Sequence, residues 1–596
     1  MAESPRTGAD GVVAVHLATG GQAIPDTYQV IAVRVQAEVG RIPEAVVTLA
    51  AGDVAEGTFE EADGTVFKEG ETLTIGASYG GGASQALFEG IVTGKRLRIA
   101  ASRGPRLEVT ARDKAIALTR ARKTALHEEK SDSDVMAALA SGAGLTASFE
   151  TAGEARDQIQ YDCTDWHFLR LLADRNGQVL LVADGKITGQ APATGDAPVL
   201  TATLGEDVIA FDASVRTEHL IAEASGRAWD PANQAMVTAD GGTLPGSDWG
   251  DVTPATMAAA AGDRCHAVST SADVASAGLT TLAKARLARS VLSAIRGRCT
   301  MPGTAKARPG TVLEIANMGK RFGGKAFVSG VEHEIAEGAW RTTAVLGLPE
   351  TFASDAAGPG GLDTQGLATP ILGPHIGTVQ ALSEDPDGKL RIKVLLPAVT
   401  TAGAAVWARY AQPYASTGAG IQFLPEVGDE VLVAFLNADP GAPVVVGSLH
   451  SGTRDRAVPV GDDENDAKVI VTRSGLKIAF DDDKKAIAVE TPGGHSLTMD
   501  DDAGEVRLGD SNGNVITLGA DGIAIESGGS LTAKAATALS AEAGSALDLT
   551  AGSDTTIGGL NVTCSADVAF EGTGGATGTL KGGGQAVVKG GVVMIN

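Results

Sequence analysis

The chain has 596 residues, a net charge of −25 at pH 7, 78 glycines and only 4% aromatic residues. This length predicts three or four domains, and abundant glycine beside few aromatic residues favours β structure with many tight turns. The acidic charge, without a clustered basic face, excludes a nucleic-acid-binding protein, and no apolar run approaches the length of a transmembrane helix.

The cysteines and the N-terminus indicate where the chain is made. Cys163, Cys265, Cys299 and Cys564 are scattered and include no C-x-x-C pair, so neither a zinc site nor a disulfide framework is expected. Residues 1–6 lack the apolar segment of a signal peptide. We therefore expect synthesis in a reducing cytosol and export without a signal peptide.

Residues 1–355 are predicted to form one domain with two small β-barrels bridged by helices. Short alternating runs, such as 28–39 and 107–113, predict the first barrel, and runs at 312–315, 325–331 and 340–345 predict the second. Helices are predicted at 134–141, capped by Ser131 or Ser133, at 166–176 with Gly177 as the C-cap, and at 274–298.

Residues 356–370 are rich in Gly, Ala and Pro and predict a linker. Residues 371–455 then contain short strands at 376–379, 390–397, 405–409, 430–435 and 444–447, the number that an OB-type barrel needs. This region has no basic stripe with stacking aromatic residues, so nucleic acid is not an expected partner.

Residues 456–596 are predicted to form a needle built from a repeat of short strands. Runs at 477–480, 486–489, 495–499, 505–508, 514–518 and 523–525 start about every nine residues and alternate in side-chain direction. The repeat continues in small residues and ends in the apolar run 592–595. Such strands need several copies wound around one axis to pair their edges and share a narrow core, although the composition alone also allows a flexible tail.

Three motifs resemble chemical sites but lack the residues that such sites need. Segment 319–325 matches G-x-x-x-x-G-K, yet Ala326 replaces the Ser or Thr that would bind Mg²⁺, and a strand is predicted to follow. On a strand, His333 faces away from Glu332 and Glu334, which predicts a surface histidine and no metal site. The pair 265–266, Cys then His, has no spaced partners.

Acidic runs at 481–483 and 500–502 fall at predicted turns, where aspartate is common and solvated, and calcium binding is the alternative interpretation. The strand repeat continues to Asn596, and the linker at 355–370 is too short to hold a catalytic domain. We therefore predict no enzyme activity, no cofactor and no metal.

The segment 424–449 carries the most specific pattern in the chain. It closely resembles the P-x-V-G-D-E-V … G-D-P-x-x-P-V-V-x-G signature of VgrG-type spike proteins of contractile injection systems, with Asn437 and Ala438 where the family often has a glycine. The matching residues are Pro425, Gly428, Asp429, Glu430, Asp439, Pro440, Pro443 and Gly447. Segments 24–30, 41–45, 112–114, 165–169 and 229–230 resemble the family's hub domain. The C-terminal Gly590, Gly591, Val593, Ile595 and Asn596 are similar to its needle tips.

This resemblance implies a mainly β fold with a few helices: a two-barrel hub domain, an OB-fold barrel and a C-terminal intertwined trimeric β-helix. It implies a homotrimer whose partners are a hexameric inner tube protein, baseplate components, a PAAR-type tip protein and effector cargo, with transient contact with a target membrane. The family's iron-bearing tips use a His-x-His pair, and none follows His495. The compact length and the N-terminal segments favour the extracellular-injection-particle branch, the Rhs-element Vgr proteins.

Two alternatives stay open at this point. One is a type VI secretion spike that carries an effector on its tip. The other is a β-helical adhesin or carbohydrate-active enzyme, which would need clustered carboxylates and aromatic platforms that the needle region lacks.

Overall fold

The computed structural model describes residues 2–100, 104–352, 364, 367–399, 405–461 and 463–595. Contacts within the chain divide it into two compact units, Met1–Arg456 and Ala457–Asn596. The predicted mainly β class with a few helices is confirmed. The finer division at 355, 370 and 455 stays a prediction, and most of the predicted linker lies outside the described residues.

The N-terminal region, residues 2–352, contains most of the secondary structure. Its strands are β1 (Val13–Thr19), β2 (Gln22–Ala23), β3 (Val30–Glu38), β4 (Glu44–Ala50), β5 (Thr72–Tyr79), β6 (Gln85–Arg98), β7 (Arg106–Arg112), β8 (Arg122–Lys130), β9 (Thr146–Phe149), β10 (Arg156–Thr164), β11 (Val179–Ala183), β12 (Lys186–Gln190), β13 (Leu200–Thr203), β14 (Ala210–Val215), β15 (Glu223–Asp230), β16 (Ala235–Asp240), β17 (Cys265–Thr270), β18 (Ile295–Pro302), β19 (Val312–Ala316), β20 (Gly324–Ala336) and β21 (Ala339–Leu346). Its helices are α1 (Glu60–Asp63), α2 (Asp132–Gly142), α3 (Asp165–Arg175), α4 (Pro254–Ala260), α5 (Ser276–Ala294) and α6 (Gly319–Phe322), with a 3₁₀ turn at Lys114–Thr119.

Side-chain caps fix the predicted helices α2 and α3. Of the two candidate caps, Ser131 begins α2, because its Oγ accepts a hydrogen bond from the Asp134 N–H at 3.1 Å. The hydroxyl of Thr164 does the same for α3, and Gly177, with φ +68°, follows its end. Both helices are therefore confirmed, each with bounds within two residues of the prediction.

The predicted end of the long helix α5 is wrong by four residues. The helix ends at Ala294, and Ile295 begins strand β18. This strand lies between β14 and β21, with Gly297 opposite both Ala213 and Leu346. The local sequence pattern favours a longer helix, because neither a proline nor a C-cap glycine follows Ala294 directly. Backbone pairing with strands on both sides nevertheless places the residues from Ile295 onwards in a strand.

One 13-stranded sheet contains two successive copies of the same strand order. The order β1-β5-β6-β7-β4-β3 is repeated as β13-β19-β20-β21-β18-β14, and antiparallel pairing of β3 with β20 joins the copies. Each copy has its own hydrophobic core, built around Val47 and Leu107 in the first and around Cys299 and Ala344 in the second. These two cores correspond to the two predicted barrels.

The predicted OB barrel is confirmed as a closed five-stranded barrel, in the order β22-β23-β24-β28-β27. The strands of this region are β22 (His375–Ala381), β23 (Ile392–Leu395), β24 (Ala405–Tyr410), β25 (Ala415–Ser416), β26 (Ala419–Gly420), β27 (Glu430–Phe435) and β28 (Pro443–Leu449), with a 3₁₀ turn at Leu436–Ala438. Its core contains Val379, Val394 and Val433, and Ile159 of β10 packs into the same cluster. The barrel is therefore attached to the N-terminal region through a shared core.

The C-terminal unit begins with a seven-stranded antiparallel meander, here called the C-terminal sheet. Its strands are β29 (Ala467–Val471), β30 (Lys477–Asp481), β31 (Ala486–Glu490), β32 (Ser496–Asp500), β33 (Glu505–Gly509), β34 (Val515–Gly519) and β35 (Gly522–Glu526). Strands β30–β35 coincide with the six predicted runs, so the predicted repeat is confirmed, and β29 is an additional strand that was not predicted. The described residues 527–595 contain neither helix nor strand.

Candidate oligomerisation site

Two rows of apolar side chains run across one face of the C-terminal sheet, here called the apolar face. Strand register places these residues directly opposite one another from strand to strand. The first row is Ile470, Ile478, Val489, Leu497, Leu508, Ile516 and Ile525. The second row is Phe480, Ile487, Met499, Val506, Leu518 and Ile523. Side chains that alternate between two faces with a period of two explain why each of β30–β35 contributes one residue to each row. Strand β29 contributes Ile470 to the first row and places Lys468 beside Phe480 of the second.

The apolar face is exposed in the single chain. Phe480 is 39% exposed, Met499 is 41% exposed and Ile523 is 70% exposed. Burying one such side chain contributes about 1.5–3 kcal/mol. Two rows of this length form a larger apolar patch than a soluble monomer ordinarily exposes, so the apolar face is a candidate for association.

The opposite face of the same sheet carries small and polar residues. Its central row is Val469, Ala479, Ala488, Thr498, Arg507, Thr517 and Ala524. Because only one face of the sheet is apolar, we expect the sheet to associate with a partner through that face. A shift in register by one residue would exchange the two faces.

Aspartates at the predicted turns hydrogen-bond to the backbone of those turns. Asp481 accepts from the Lys484 N–H at 3.1 Å, and Asp500 accepts from the Ala503 N–H at 2.8 Å. These carboxylates thus act as turn residues. Among the residues that the structure describes, no group of three or more His, Cys, Asp and Glu side chains could hold a metal ion.

The predicted tip residues lie in the segment without secondary structure. Gly590, Gly591, Val593 and Ile595 are exposed, and Asn596 lies outside the described residues. Leu531, Leu539 and Val568 of the same segment are 69%, 71% and 98% exposed. A single chain therefore gives this segment neither a ladder of hydrogen bonds nor a core.

The first part of the predicted signature forms a tight turn that enters β27. Pro425 is buried, and the Asp429 carboxylate accepts from the Glu426 N–H at 2.8 Å. Gly428 has φ +88°, and its N–H donates to the Val379 carbonyl at 2.8 Å. Glu430 is the first residue of β27. These residues close the OB barrel, where Glu430 lies opposite Thr378 of β22.

The second part of the signature forms the turn between β27 and β28. Asp439 is buried, and its Oδ1 accepts from the Gly441 N–H at 2.8 Å. Burial raises the pKa of the Asp439 carboxyl, while its hydrogen bond and the positive charges of Arg156 and Arg175 oppose that rise. The remaining residues position the strand that follows: Pro440 is buried, Pro443 begins β28, and Gly447 lies within it.

Asp439 faces a charged network between the N-terminal region and the OB barrel, which the sequence did not predict. The Arg175 guanidinium donates to both oxygens of Asp132, at 2.7 and 2.6 Å, and to the Leu367 carbonyl at 2.6 Å. Burial alone would raise the pKa of Asp132, but Arg175 holds it below its ordinary value. The neighbouring positive charge of Arg175, together with burial, lowers the pKa of Arg156 to about 10.

Arg156 and Asp439 both line a cavity of about 870 Å³ at this junction. Polar side chains from α2, α3, β10 and the β27–β28 turn meet there. Sequence reasoning found only the signature residues Asp439 and Pro440, because Arg156 and Arg175 lie more than 260 residues away along the chain. The network therefore lies at the junction of the OB barrel and the N-terminal region.

The three motifs that resembled chemical sites are structural. Segment 319–325 is the short helix α6 followed by strand β20, without the helix that a phosphate site needs. The prediction that His333 is a surface histidine is wrong: it is 4% exposed, and its Nδ1 lies 2.9 Å from the Thr342 hydroxyl. It is buried because β3 covers β20 on that side. Cys265 is exposed, with its Sγ 3.5 Å from a carboxylate oxygen of Glu223.

Across the residues that the structure describes, no helix is both long enough and apolar enough to cross a membrane.

Comparison with known protein families finds a match in each part of the chain. Residues 9–337 match the family described as the Alg8 N-terminal domain. Residues 375–450 match the type VI secretion system/phage-baseplate injector OB domain. Residues 486–557, which include most of the C-terminal sheet, match the phage baseplate V C-terminal trimerisation domain.

Individual relatives are more distant. The type VI secretion system spike protein VgrG3 of Vibrio cholerae serotype O1 is 33% identical over 90 residues, which span 14% of this chain and 9% of that protein. The solved PdpA-VgrG complex of Francisella matches with a TM-score of 0.50 and 8% identity, covering 86% of this chain and 88% of that chain. The E. coli c3393 protein, a component of the type VI secretion system, matches with a TM-score of 0.46 and 14% identity, covering 73% of this chain and 99% of that chain.

Proposed function

Because this chain belongs to the Alg8 N-terminal domain family and carries the injector OB and trimerisation domains of VgrG-type spike proteins, we propose that three copies form the central spike of a contractile injection system. The N-terminal region is the hub, the OB barrel is a collar, and the C-terminal unit is the needle. The exposed apolar face within the trimerisation match is the observation that carries this proposal.

In the proposed trimer, three apolar faces meet around one axis. Each chain then buries its two apolar rows against the other two chains and leaves its small, polar face in water. Beyond Glu526, the small residues allow three chains to approach closely and to supply one another with backbone hydrogen bonds. Many such bonds would have to break together for the needle to buckle, and this cooperativity supplies stiffness.

The function of this spike is mechanical. Contraction of a sheath drives tube and spike through a target envelope, with transient contact between the needle and the membrane. The hub adapts the threefold spike to a hexameric inner tube protein and to baseplate components. The needle tip carries a PAAR-type protein and effector cargo. These partners are proposed by analogy with the family, and the spike requires no catalysis of its own.

The proposal also assigns a cellular route. The chain is made in the bacterial cytoplasm and leaves as part of an injection particle that is released extracellularly. The experiment is to sediment particles from cell-free culture medium and to probe them for this chain. Particles that contain it support release, whereas its restriction to cells supports the type VI alternative with an effector on the tip.

The native mass of the purified chain tests the central proposal. Light scattering or native mass spectrometry is expected to give the mass of three chains for the full length. A version that ends at Arg456, the limit of the first compact unit, is expected to lose or weaken the trimer. A stable monomer of full length would contradict the proposal and favour a binding protein with a flexible C-terminal segment.

A further inference from the structure

Three turns of the C-terminal sheet, those after β29, β31 and β33, have the same construction. The N–H of the first residue donates to the carbonyl of the fifth, in the pairs Thr472–Leu476, Thr491–His495 and Asp510–Asn514. The side chain of the first residue also accepts from the N–H of the fifth, at 3.2, 3.3 and 2.9 Å. The fourth residue is a glycine with φ +85°, +84° and +84°. The three turns are therefore equivalent position by position.

The residue before the glycine distinguishes the third turn from the other two. Ser474 and Gly493 occupy this position in the first two turns, and Asn512 occupies it in the third, where Gly513 follows. The chain contains one other Asn-Gly pair, 176–177. Asparagine loses ammonia most readily before glycine, because glycine has no side chain to hinder attack by its backbone nitrogen on the neighbouring amide.

The two reacting groups of the third turn are accessible. Asn512 and Gly513 are both exposed, and a β-carbon at Gly513 would have no atom within 4 Å. The Asn512 amide nitrogen donates to Oδ2 of Asp510 at 3.3 Å, a long hydrogen bond. Within the part of the chain that the structure describes, the Gly513 N–H donates no backbone hydrogen bond. Neither group must leave a close partner before it can react.

The other Asn-Gly pair has the opposite surroundings. The amide nitrogen of Asn176 donates to Asp132 at 2.6 Å and to the Leu172 carbonyl at 2.8 Å. The Gly177 N–H donates to the Asp174 carbonyl at 3.1 Å. Both residues of this pair are half-buried. The same dipeptide is thus held by hydrogen bonds at the end of α3 and open to water in the third turn.

We propose that Asn512 is a self-modification site, which converts without an enzyme to aspartate and isoaspartate. The Gly513 nitrogen bonds to Cγ of Asn512, the Cγ–Nδ2 bond breaks, and the proton from Gly513 leaves with the amide nitrogen as ammonia. Water then opens the resulting five-membered ring at either of its two carbonyls. One opening gives aspartate, and the other gives isoaspartate, whose main chain passes through the former side chain. This inference goes beyond the proposed function and does not depend on the trimer.

The modified turn holds the first residues that follow the sheet. Oδ1 of Asn514 accepts from the Ser527 hydroxyl at 2.8 Å and from the Gly528 N–H at 3.2 Å, while its Nδ2 donates to Asp510 at 2.8 Å. Hydrogen bonds, chiefly from Asn514, lower the pKa of Asp510 to about 2, so this carboxylate is charged at neutral pH.

Conversion changes this turn in two ways. A new carboxylate at position 512 replaces a hydrogen-bond donor beside the charged Asp510, and two like charges repel. Isoaspartate also adds a methylene group to the main chain, directly beside the contact with Gly528, where a β-carbon would lie 2.6 Å from the Asn512 carbonyl oxygen. We therefore expect conversion to loosen the connection between the turn and residues 527–528.

Peptide mapping of the full chain tests the modification. The purified chain is kept at mildly alkaline pH and digested with trypsin, which separates the two Asn-Gly pairs into peptides 176–186 and 508–534. Conversion adds about 1 Da, and labelling by an isoaspartyl methyltransferase identifies isoaspartate. In the native chain Asn512 is expected to convert at least about tenfold faster than Asn176, and in denaturant the two rates should agree within about twofold, because folding protects only Asn176.

The variant Asn512→Ser is the matched control, since serine occupies the equivalent position of the first turn. It should remove the mass gain of peptide 508–534. After equal incubation, hydrogen exchange of the amides at 527–530 should be about two- to fivefold faster in the wild type than in this variant. Equal native conversion of Asn512 and Asn176, or conversion of Asn512 only in denaturant, would overturn the proposal. Equal exchange in the two incubated samples would overturn the proposed loosening.

Discussion

Two signature glycines differ in what their backbones require. Gly428 has φ +88° in the turn before β27, and a β-carbon there would lie 2.6 Å from Nη2 of Arg454. Gly447 lies within strand β28, and a β-carbon there would have no atom within 4 Å. The backbone conformation therefore requires glycine at position 428 but not at position 447.

The substitution Gly428→Ala is therefore expected to lower the free energy of unfolding by about 1–2 kcal/mol, the cost of a left-handed conformation for a residue with a side chain. Gly447→Ala is the control and should be neutral or slightly stabilising, since alanine is favoured over glycine inside a strand. Denaturant unfolding monitored by tryptophan fluorescence measures both. Equal effects of the two changes would contradict this account.

His333 shows how burial turns a side chain into an acid-sensitive element. Its backbone lies between Val35 of β3 and Thr342 of β21, and burial, with the positive charge of Arg308, lowers the pKa of its side chain to about 4. The unfolded imidazole takes up a proton near pH 6.5, so between these two values the unfolded state binds more protons. Stability therefore falls as the pH decreases from about 6.5 to about 4.

We expect protonation of this histidine to lower the free energy of unfolding by about 3 kcal/mol as the pH falls from about 6.5 to about 4. The His333→Leu variant should lose less stability over the same pH range. Leucine is apolar and close to histidine in volume, so it suits this buried position. His450→Asn, at an exposed histidine, is the control and should leave the pH profile unchanged. Urea unfolding at several pH values between 4 and 7 provides the measurement. If His333→Leu lost as much stability at low pH as the wild type does, that result would contradict the attribution of this loss to His333.

Strand β32 illustrates how one element gives the sheet two different faces. Leu497 lies in the first apolar row and Thr498 in the small, polar row of the other face. In the proposed trimer, leucine is buried against other chains and threonine is solvated. A charge at these two adjacent positions should therefore have opposite consequences.

We expect Leu497→Asp to convert the trimer to a monomer, because an unpaired carboxylate would be buried in the shared core. Thr498→Asp, one residue away on the solvated face, should leave the native mass at three chains. Native mass spectrometry of the two variants under identical conditions compares them. Loss of the trimer in both, or in neither, would argue against the apolar face as the interface.

The whole molecule depends on other copies most strongly in residues 527–595. In this segment a single chain forms no strand, and large apolar residues such as Leu539 and Val568 remain exposed. Chains that lack internal hydrogen bonds gain backbone partners only by pairing with one another. In the proposed trimer, neighbouring copies would supply these partners.

Hydrogen exchange is expected to show this dependence. Amides in 527–595 should exchange slowly in the trimeric full chain and rapidly in the monomeric Leu497→Asp variant, whereas amides of the OB barrel should exchange equally in both. The comparison uses peptides from each region of the same two samples. Rapid exchange of 527–595 in a confirmed trimer would contradict the needle.

The sequence by itself determined the elements whose causes are local. Alternating residues between Asp and Gly turns placed the strands of the C-terminal sheet. A serine cap placed the start of α2, Gly177 placed the end of α3, and the segment 424–449 placed the OB turns. These features depend on residues within a few positions of one another, so they can be read without the fold.

Only the tertiary structure decided the features that depend on distant residues. Pairing with β14 and β21 ended α5 at Ala294, and coverage by β3 buried His333. The Asp132–Arg175 pair beneath the Asp-Pro turn and the repeated strand order emerged only from the fold. The two copies share few identical residues because a barrel strand requires a pattern of buried positions and a few turn glycines, and many sequences satisfy that requirement.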